Sequence, residues 1–235
     1  MAGLTTGGPN VDVSLLYEIN GLARHAPSGL DRAVGLIGEY GILLALVLLV
    51  LWCWRGARRQ DEATAVETFA ALVWAPLAAG IALLVNIPLR ELVGRPRPFR
   101  QHAGLEVLEP GLGKSDFSFV SDHATLAMAL GVGLFIANRK LGFIGIGLAL
   151  LEGACRVYMG VHYPTDVIGG LALGTAVVLL LAPLAMALLT PVVRAVARSP
   201  RVGRLVRAKD RVLARPVGLA QTPPPGLTRE SDLAA

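Results

Sequence analysis

Long apolar runs constrain the fold of this sequence more than any other feature. A bilayer-spanning helix needs about 20 apolar residues, and four stretches meet or approach that length: 34–54, 66–89, 141–159 and 167–189. A fifth run, 123–137, is shorter but has sharp polar boundaries. Charged residues make up 17% of the chain, whereas soluble domains carry roughly 25%. The sequence predicts an all-α, polytopic transmembrane helical bundle of about five spans.

The short run at 123–137 needs an explanation of its own, because it is the third of the five predicted spans. Residues 117–120 could extend this helix to the length of a span. Alternatively, the helix lies inside the bundle and avoids full contact with lipid. The sequence leaves both arrangements open.

The N-terminal residues 1–33 are predicted to be a lead-in to the membrane domain. Residues 1–10 lack the basic start and apolar stretch of a cleavable signal peptide. Leu15, Leu16, Ile19 and Leu22 share one helical face, which is typical of a short interfacial helix. A solvent-exposed lead-in is the alternative.

The C-terminal residues 191–235 differ sharply in composition from the membrane domain, which we assign to residues 34–190. Basic residues recur from Arg194 to Arg215, and a proline-rich segment follows. Because the basic segment follows a span directly, it is predicted to contact anionic lipid headgroups rather than nucleic acid. The end of this tail is predicted to be partly disordered.

The distribution of basic residues predicts an orientation in the membrane. Basic clusters follow the first, third and fifth spans, at residues 55–59, at 139–140 and in the tail. Five spans place all three on one side, which the positive-inside rule assigns to the cytoplasm. The loop 90–120 then lies outside, although its own arginines run against the rule. We therefore predict a multi-pass protein of the cell membrane with its N-terminus outside.

Three clusters of polar residues fall at the outer ends of the predicted spans. They are Arg-Glu-Leu-Val-Gly-Arg-Pro-Arg-Pro at 90–98, Ser-Asp-His at 121–123, and the set Arg156, His162 and Asp166. Phosphoryl transfer needs fixed cations around the phosphoryl oxygens, an in-line nucleophile and an acid for the leaving oxygen. Arginine suits the first task because its planar fork binds two oxygens. The clusters predict metal-free phosphoryl transfer on a substrate with one end in lipid.

Local sequence suggests how these side chains are presented. Prolines on both sides of Arg97 stiffen the backbone and aim the side chain. Ser121 is a preferred helix N-cap, which leaves backbone N–H groups free to bind an anion close to His123. Asp166 falls in the first turn of the last span, from which its carboxylate can reach back toward His162.

Taken singly, most of these residues also have a structural explanation. An arginine at a span end, such as Arg90, can snorkel to headgroups, and a lone histidine such as His123 can be interfacial. Asp166 can be a helix cap and His162 a loop residue. The functional interpretation depends on their joint occurrence.

Together, Arg-x6-Arg-Pro, Ser-x-His and Arg-x5-His-x3-Asp resemble the signature of the type 2 phosphatidic acid phosphatase superfamily, over residues 90–166. The resemblance implies that His162 is the nucleophile, Asp166 its orienting partner and His123 the general acid. It also implies a phosphohistidine intermediate and no metal or other cofactor. The phosphate-binding residues that it implies are Arg90, Arg97, Arg156 and Ser121, to which we add Asp122 as a neighbour in the same motif.

The chain departs from the usual motifs at four positions. Arg90 replaces lysine, Val120 and Asp122 replace the proline and glycine of Pro-Ser-Gly-His, and Cys155 replaces the serine before Arg156. The Ser-Asp-His variant, together with Arg-Pro-Arg-Pro-Phe and Gly-Val-His-Tyr-Pro-x-Asp-Val, resembles the bacitracin-resistance type of undecaprenyl-diphosphate phosphatase. That subgroup removes the terminal phosphate of a polyprenyl diphosphate at the outer leaflet.

Several functions share these motifs. The alternatives within enzymes are a phosphatidic acid or phosphatidylglycerophosphate phosphatase and a polyprenyl-phosphoryl-sugar phosphatase. The alternative from another class is a non-catalytic membrane protein that only binds lipid phosphate. The expected partners are therefore a lipid phosphate and the membrane, without nucleic acid.

Three further polar residues lie within the predicted spans. Glu152, four residues before Arg156, is expected to form a structural pair with it, with a proton relay as the alternative. Glu39 and Asn86 are expected to be polar contacts between helices.

Overall fold

The computed structural model describes residues 10–108, 117–199 and 203–206. Regular structure in these residues is helical, apart from an isolated antiparallel bridge between Pro96 and Phe117. The helices are α1 (Val11–His25), α2 (Ser28–Leu36), a π-helical segment (Ile37–Gly41), α3 (Ile42–Ala57), α4 (Glu62–Val93), α5 (Pro98–Gln101), α6 (Asp122–Ala137), α7 (Arg139–Tyr158), α8 (Pro164–Arg198) and α9 (Gly203–Val206).

Four helical stretches are long and apolar enough to cross a membrane: Ser28–Ala57, Glu62–Val93, Arg139–Tyr158 and Pro164–Arg198. The first combines α2, the π-helical segment and α3. With the shorter α6, they confirm the prediction of a polytopic helical bundle. Helix α8 continues to Arg198, because the apolar pattern does not stop at the predicted tail boundary after residue 190. Most of the predicted tail, at 200–202 and 207–235, lies outside the described residues.

The short helix α6 lies at the centre of the bundle. Its 16 residues span about 24 Å at 1.5 Å per residue, less than the roughly 30 Å of a hydrocarbon core. Helices α4, α7 and α8 pack around it, and nearly all of its residues from Ala124 to Leu134 are buried. Residues 117–120 are not helical. Of the two arrangements that the sequence left open, the structure therefore has the helix inside the bundle.

Glycines allow α6 and α7 to approach closely. A Cβ atom on Gly131 would lie 2.8 Å from the backbone of Gly145, and one on Gly142 would lie 2.1 Å from Cα of Phe135. Small residues at helix crossings permit the backbone contacts that drive association where hydrophobic burial is weak. This packing fixes His123 on α6 relative to Arg156 on α7.

The basic clusters and the polar motifs lie at opposite ends of the bundle. The turns α3–α4 and α6–α7 meet at one end, where Ala57, Gln60, Asn138 and Lys140 line a common groove. The other end carries residues 94–108 and 117–121 and the turn between α7 and α8. Helix α4 ends there at Val93. Its C-cap Gly94 has a left-handed φ of 58°, which turns the chain sharply into the Arg-Pro-Arg-Pro segment.

Helix α1 confirms that the N-terminal lead-in contains a helix. Leu16 and Asn20 are buried, while Leu15 and Leu22 are 41% and 63% exposed. The helix packs against α7 and α8, at the end of the bundle that carries the polar motifs. Its interfacial position in a bilayer stays a prediction.

Candidate active site

His162 occupies the turn between α7 and α8 and is 4% exposed. Its Nδ1 atom lies 2.9 Å from the carbonyl oxygen of Ser118. A carbonyl only accepts hydrogen bonds, so this contact assigns the proton of the neutral ring to Nδ1. The Nε2 atom then keeps its lone pair, which is the form that a nucleophilic imidazole requires.

The contact with Ser118 could not be read from the sequence, because it uses a backbone carbonyl 44 positions away. The backbone N–H of Ser118 donates to the carbonyl of Arg95 at 2.8 Å. The Arg-Pro-Arg-Pro segment thereby holds the residue whose carbonyl contacts the histidine ring. The first and third motifs are thus linked through the main chain.

Asp166 lies close to His162 but makes its hydrogen bonds elsewhere. Its Oδ2 atom is 3.7 Å from Nδ1 of His162, beyond hydrogen-bond distance. That oxygen accepts from the backbone N–H of Tyr163 at 2.9 Å, and Oδ1 accepts from Nη1 of Arg95 at 2.9 Å. The fully buried carboxylate therefore shapes the turn that carries the histidine. Its role as the orienting partner stays a prediction.

The surroundings of His162 favour its neutral form. Burial lowers the pKa of the ring below its ordinary value of 6.5, and the charges of Arg156 and Arg97 act in the same direction. The carboxylate of Asp166 opposes them only in part. Because the imidazolium is disfavoured, the ring is available as a nucleophile even in mildly acidic solution.

Two of the predicted cations, Arg97 and Arg156, lie within electrostatic range of His162. Arg97 and Arg156 are 7% and 1% exposed, and both lie close enough to His162 to influence its charge. His123, at the start of α6, lies within electrostatic range of Arg156 and His162. Residues from all three motifs therefore converge at one end of the bundle. The roles assigned to them stay predictions.

Two departures from the family motifs contact each other. Arg90 forms an ion pair with Asp122, so the arginine in place of lysine meets the carboxylate in place of glycine. The Nδ2 atom of Asn86 donates to Asp122 at 2.7 Å and to the carbonyl of Val120 at 3.0 Å. Asn86 on α4 therefore makes the expected polar contact between helices, at the start of α6. This pairing holds the Arg90 side chain beside the N-terminus of α6.

Ser121 is the N-cap of α6, as the sequence predicted. Its hydroxyl oxygen accepts from the backbone N–H of Ala124 at 3.4 Å, and the residue is fully buried. The adjacent Asp122 supplies a negative charge to the first turn of the helix, where it interacts favourably with the helix dipole. Phosphate binding by Ser121 and Asp122 stays a prediction.

Sequence reasoning missed a second polar cluster beside the site, centred on Arg95. Its Nη1 atom donates to Asp166 and to Oγ1 of Thr165 at 2.7 Å, and Nη2 donates to Oδ2 of Asp12 at 2.6 Å. The guanidinium carbon lies 3.6 Å from the centre of the Tyr163 ring. Asp12 also accepts from the backbone N–H of Thr165 at 2.9 Å. Helix α1 is thereby connected to the turn that carries His162.

The structure also places two carboxylates near Arg156. Nη1 of Arg156 on α7 donates to Oε2 of Glu39 in the first span at 2.7 Å, which confirms Glu39 as a polar contact between helices. Glu152 is buried, and neither of its carboxylate oxygens has a hydrogen-bond partner. Glu152 interacts electrostatically with Arg156, so the expected pairing of these residues stays a prediction. The π-helical segment brings a second carboxylate to the guanidinium. The presence of a carboxylate within a span was the available signal for Glu39.

Comparison with known proteins identifies relatives of this chain. The chain is similar to the undecaprenyl-diphosphatase BcrC of Bacillus subtilis (strain 168), with 32% identity over 68% of this chain and 77% of the relative. It is similar to the putative undecaprenyl-diphosphatase YbjG of Escherichia coli (strain K12), with 29% identity over 70% of this chain and 78% of the relative. Both alignments cover most of each protein.

A solved structure of a PAP2-type phosphatidylglycerolphosphate phosphatase from Bacillus subtilis also matches, with a TM-score of 0.39 and 22% identity, over 76% of this chain and 96% of that one. The sequence profile of the PAP2 superfamily matches residues 71–189, a range that contains all three motifs. The chain therefore belongs to the PAP2 superfamily and is a membrane-spanning lipid phosphatase.

Proposed function

We propose that this protein hydrolyses a polyprenyl diphosphate, with undecaprenyl diphosphate as the leading candidate, to the monophosphate at the outer leaflet. The observation that carries the proposal is the buried His162, whose Nδ1 contacts the carbonyl of Ser118 and whose ring lies within electrostatic range of Arg97 and Arg156. This arrangement supplies a nucleophile beside fixed positive charge. The names of the relatives support the choice of substrate.

The proposed reaction proceeds in two steps. In the first, Nε2 of His162 attacks the terminal phosphorus, the bond to the bridging oxygen breaks, and His123 protonates the departing lipid phosphate. In the second, water attacks the phosphohistidine while His123 accepts its proton, which releases inorganic phosphate and restores the starting protonation states. Arg97, Arg156 and Arg90 stabilise the charge on the phosphoryl oxygens.

The nucleophile is tested by replacing His162 with alanine. We expect lipid phosphate hydrolysis to fall by several orders of magnitude, because a covalent route loses its acceptor. Acid-labile labelling from a ³²P-labelled lipid diphosphate should disappear as well. His25→Ala is the matched control, since His25 is exposed on α1. Retained turnover in His162→Ala would exclude the phosphohistidine mechanism.

The substrate is tested with a panel of lipid phosphates, assayed on purified protein in micelles with and without a chelator. We expect hydrolysis of undecaprenyl diphosphate and no effect of the chelator. Efficient hydrolysis of phosphatidate, phosphatidylglycerophosphate or a polyprenyl-phosphoryl sugar, without hydrolysis of the diphosphate, would contradict the substrate assignment. Binding without turnover of any of them would favour the non-catalytic alternative.

The orientation is tested by labelling single cysteines in intact cells with a membrane-impermeant reagent. Leu92 is 84% exposed at the site end of α4, and Glu62 is exposed at the opposite end of the same helix. We expect Leu92→Cys to be labelled and Glu62→Cys to be protected. The native Cys53 and Cys155 are buried free thiols, so their background should be low. The reverse pattern would place the site on the cytoplasmic side.

A further inference from the structure

Glu39 brings a carboxylate into the cluster formed by the three motifs. Its Oε2 atom accepts from Nη1 of Arg156 at 2.7 Å, and its Oε1 atom lies 3.8 Å from Nε2 of His123. The proposed phosphate-binding arginine and the proposed general acid therefore share one carboxylate. Glu39 belongs to the first span, which contains none of the family motifs.

The local backbone explains how Glu39 reaches this position. It lies in the π-helical segment Ile37–Gly41, and the extra residue of a π-helical turn redirects side chains relative to an α-helix. A Cβ atom on Gly38 would lie 2.9 Å from Cβ of Cys155 and 3.1 Å from Sδ of Met159. Glycine at this position lets the first span contact α7 directly, one residue from Arg156.

The carboxylate of Glu39 and a phosphoryl group are chemically similar ligands for a guanidinium. Each presents anionic oxygens that accept charge-assisted hydrogen bonds from the planar N–H fork. Arg156 is 1% exposed, so solvent supplies little screening of its charge. Without substrate, Glu39 provides an anion to this buried cation.

A second carboxylate lies near the same arginine. Glu152 precedes Arg156 by one helical turn on α7 and is completely buried, with no hydrogen-bond partner for either oxygen. It interacts electrostatically with both Arg156 and Glu39. Two carboxyl groups, those of Glu39 and Glu152, therefore lie near Arg156.

We propose that the Glu39 carboxylate is an internal competitor for phosphate, which holds Arg156 in the empty site and is displaced from Nη1 by a phosphoryl oxygen of the substrate. This inference rests on the proposed function, because it takes Arg156 as a phosphate ligand. The competition favours release of inorganic phosphate, since the carboxylate returns to the guanidinium as the product leaves. It also favours diphosphates, whose larger negative charge competes better than that of a monoester.

The test is direct binding of inorganic phosphate to the full-length protein in micelles, which requires no turnover. We expect Glu39→Gln to bind phosphate about tenfold more tightly than the unaltered chain. A factor of this size corresponds to the loss of one competing charge-assisted hydrogen bond. Glu18→Gln is the matched control, because Glu18 is an exposed residue of α1 and the substitution removes the same charge. The phosphate affinity of this control should stay unchanged.

The direction of the change distinguishes competition from a purely structural role. If Glu39 only supports the Arg156 side chain, Glu39→Gln will weaken phosphate binding or leave it unchanged, and either result overturns the proposal. Glu39→Asp is a second variant, in case the first does not fold. It keeps the charge but shortens the side chain by one methylene, so its phosphate affinity should fall between those of the unaltered chain and Glu39→Gln.

Kinetic measurements separate this inference from the proposed function. In Glu39→Gln we expect stronger product inhibition by phosphate and a lower kcat, with a lower KM for the lipid diphosphate. If the unaltered chain hydrolyses no lipid phosphate but the variant still binds phosphate more tightly, the proposed function fails and the competition stands. If turnover is normal and phosphate binding is unaffected by the substitution, only the competition fails.

Discussion

Replacing Arg95 with alanine tests whether the cluster beside the site positions the nucleophile. Arg95 joins Asp12 of helix α1 to Thr165 and Asp166 in the first turn of α8. Its substitution leaves Oδ1 of the fully buried Asp166 without this donor, while Oδ2 keeps the backbone N–H of Tyr163. Arg95 is therefore expected to act on His162 through Asp166, without a role in the chemistry itself.

The expected magnitude follows from the hydrogen bond that is lost. A hydrogen bond to a charged group contributes about 1.5–3 kcal/mol. The Arg95 side chain is 25% exposed, so water replaces part of the interaction and we take about 2 kcal/mol. If the whole of this free energy is lost from the transition state for phosphoryl transfer and none from the ground state, kcat falls roughly 30-fold. KM should change little, because the described donors of Arg95 contact protein groups.

The assay compares kcat and KM of purified variants in micelles on whichever lipid phosphate the panel identifies. Arg32→Ala is the matched control, because Arg32 is exposed on α2 and its loss removes the same charge. Arg95→Lys should restore little activity, since an ammonium cannot bridge Asp12 and Asp166 as the guanidinium fork does. Asp12→Asn should lower kcat less than Arg95→Ala, because Arg95 keeps its bond to Asp166.

A combined variant provides the sharpest check on this reasoning. Because Asp12 acts through Arg95, the double variant Arg95→Ala/Asp12→Asn should be scarcely worse than Arg95→Ala alone. Fully additive losses would show that the two residues act independently. An unchanged kcat with a raised KM would instead identify Arg95 as a substrate ligand, and the positioning role would be rejected.

Two further predictions concern the pH dependence and the helix packing. Burial and the charges of Arg156 and Arg97 lower the pKa of His162 below 6.5, so its ring stays neutral as the pH falls through 6.5. The acid limb of kcat/KM should therefore lie below that value. An acid limb attributable to His162 at or above pH 6.5 would contradict this effect of burial. Gly142→Ala should lower the Tm in micelles because its Cβ would lie 2.1 Å from Phe135, whereas Gly147→Ala on the same helix meets nothing within 4 Å and should be neutral or stabilising by about 0.5–1 kcal/mol. Equal Tm values for the two glycine variants would show that the α6–α7 crossing can relax.

Two contacts around the PAP2 motifs involve residues that the usual motifs do not specify. The ion pair between Arg90 and Asp122 couples two departures from the usual motifs. Glu39, on a span without motifs, contacts Arg156 directly. Such contacts change the charge and geometry around the proposed catalytic groups. We expect them to affect substrate preference and product release.

The sequence alone was sufficient to predict the helical spans and the convergence of the motifs at one end of the bundle. Apolar run length is a local property that the bilayer imposes on each segment, and successive spans place alternate loops on the same side. Arg97, His123, Arg156 and His162 were proposed as site residues because their motifs resemble the superfamily signature, and their roles stay predictions. The N-cap position of Ser121 was likewise a local property of its sequence.

Only the tertiary structure decided which groups touch. One hydrogen-bond partner of Arg156, Glu39, lies 117 positions away, and Thr165 meets Asp12 across 153 positions. The Nδ1 atom of His162 contacts a backbone carbonyl, which no side-chain pattern encodes. These contacts arise from the central placement of α6, the π-helical turn before α3 and the glycines that let helices approach. They depend on how whole helices pack, a property that no single stretch of sequence contains.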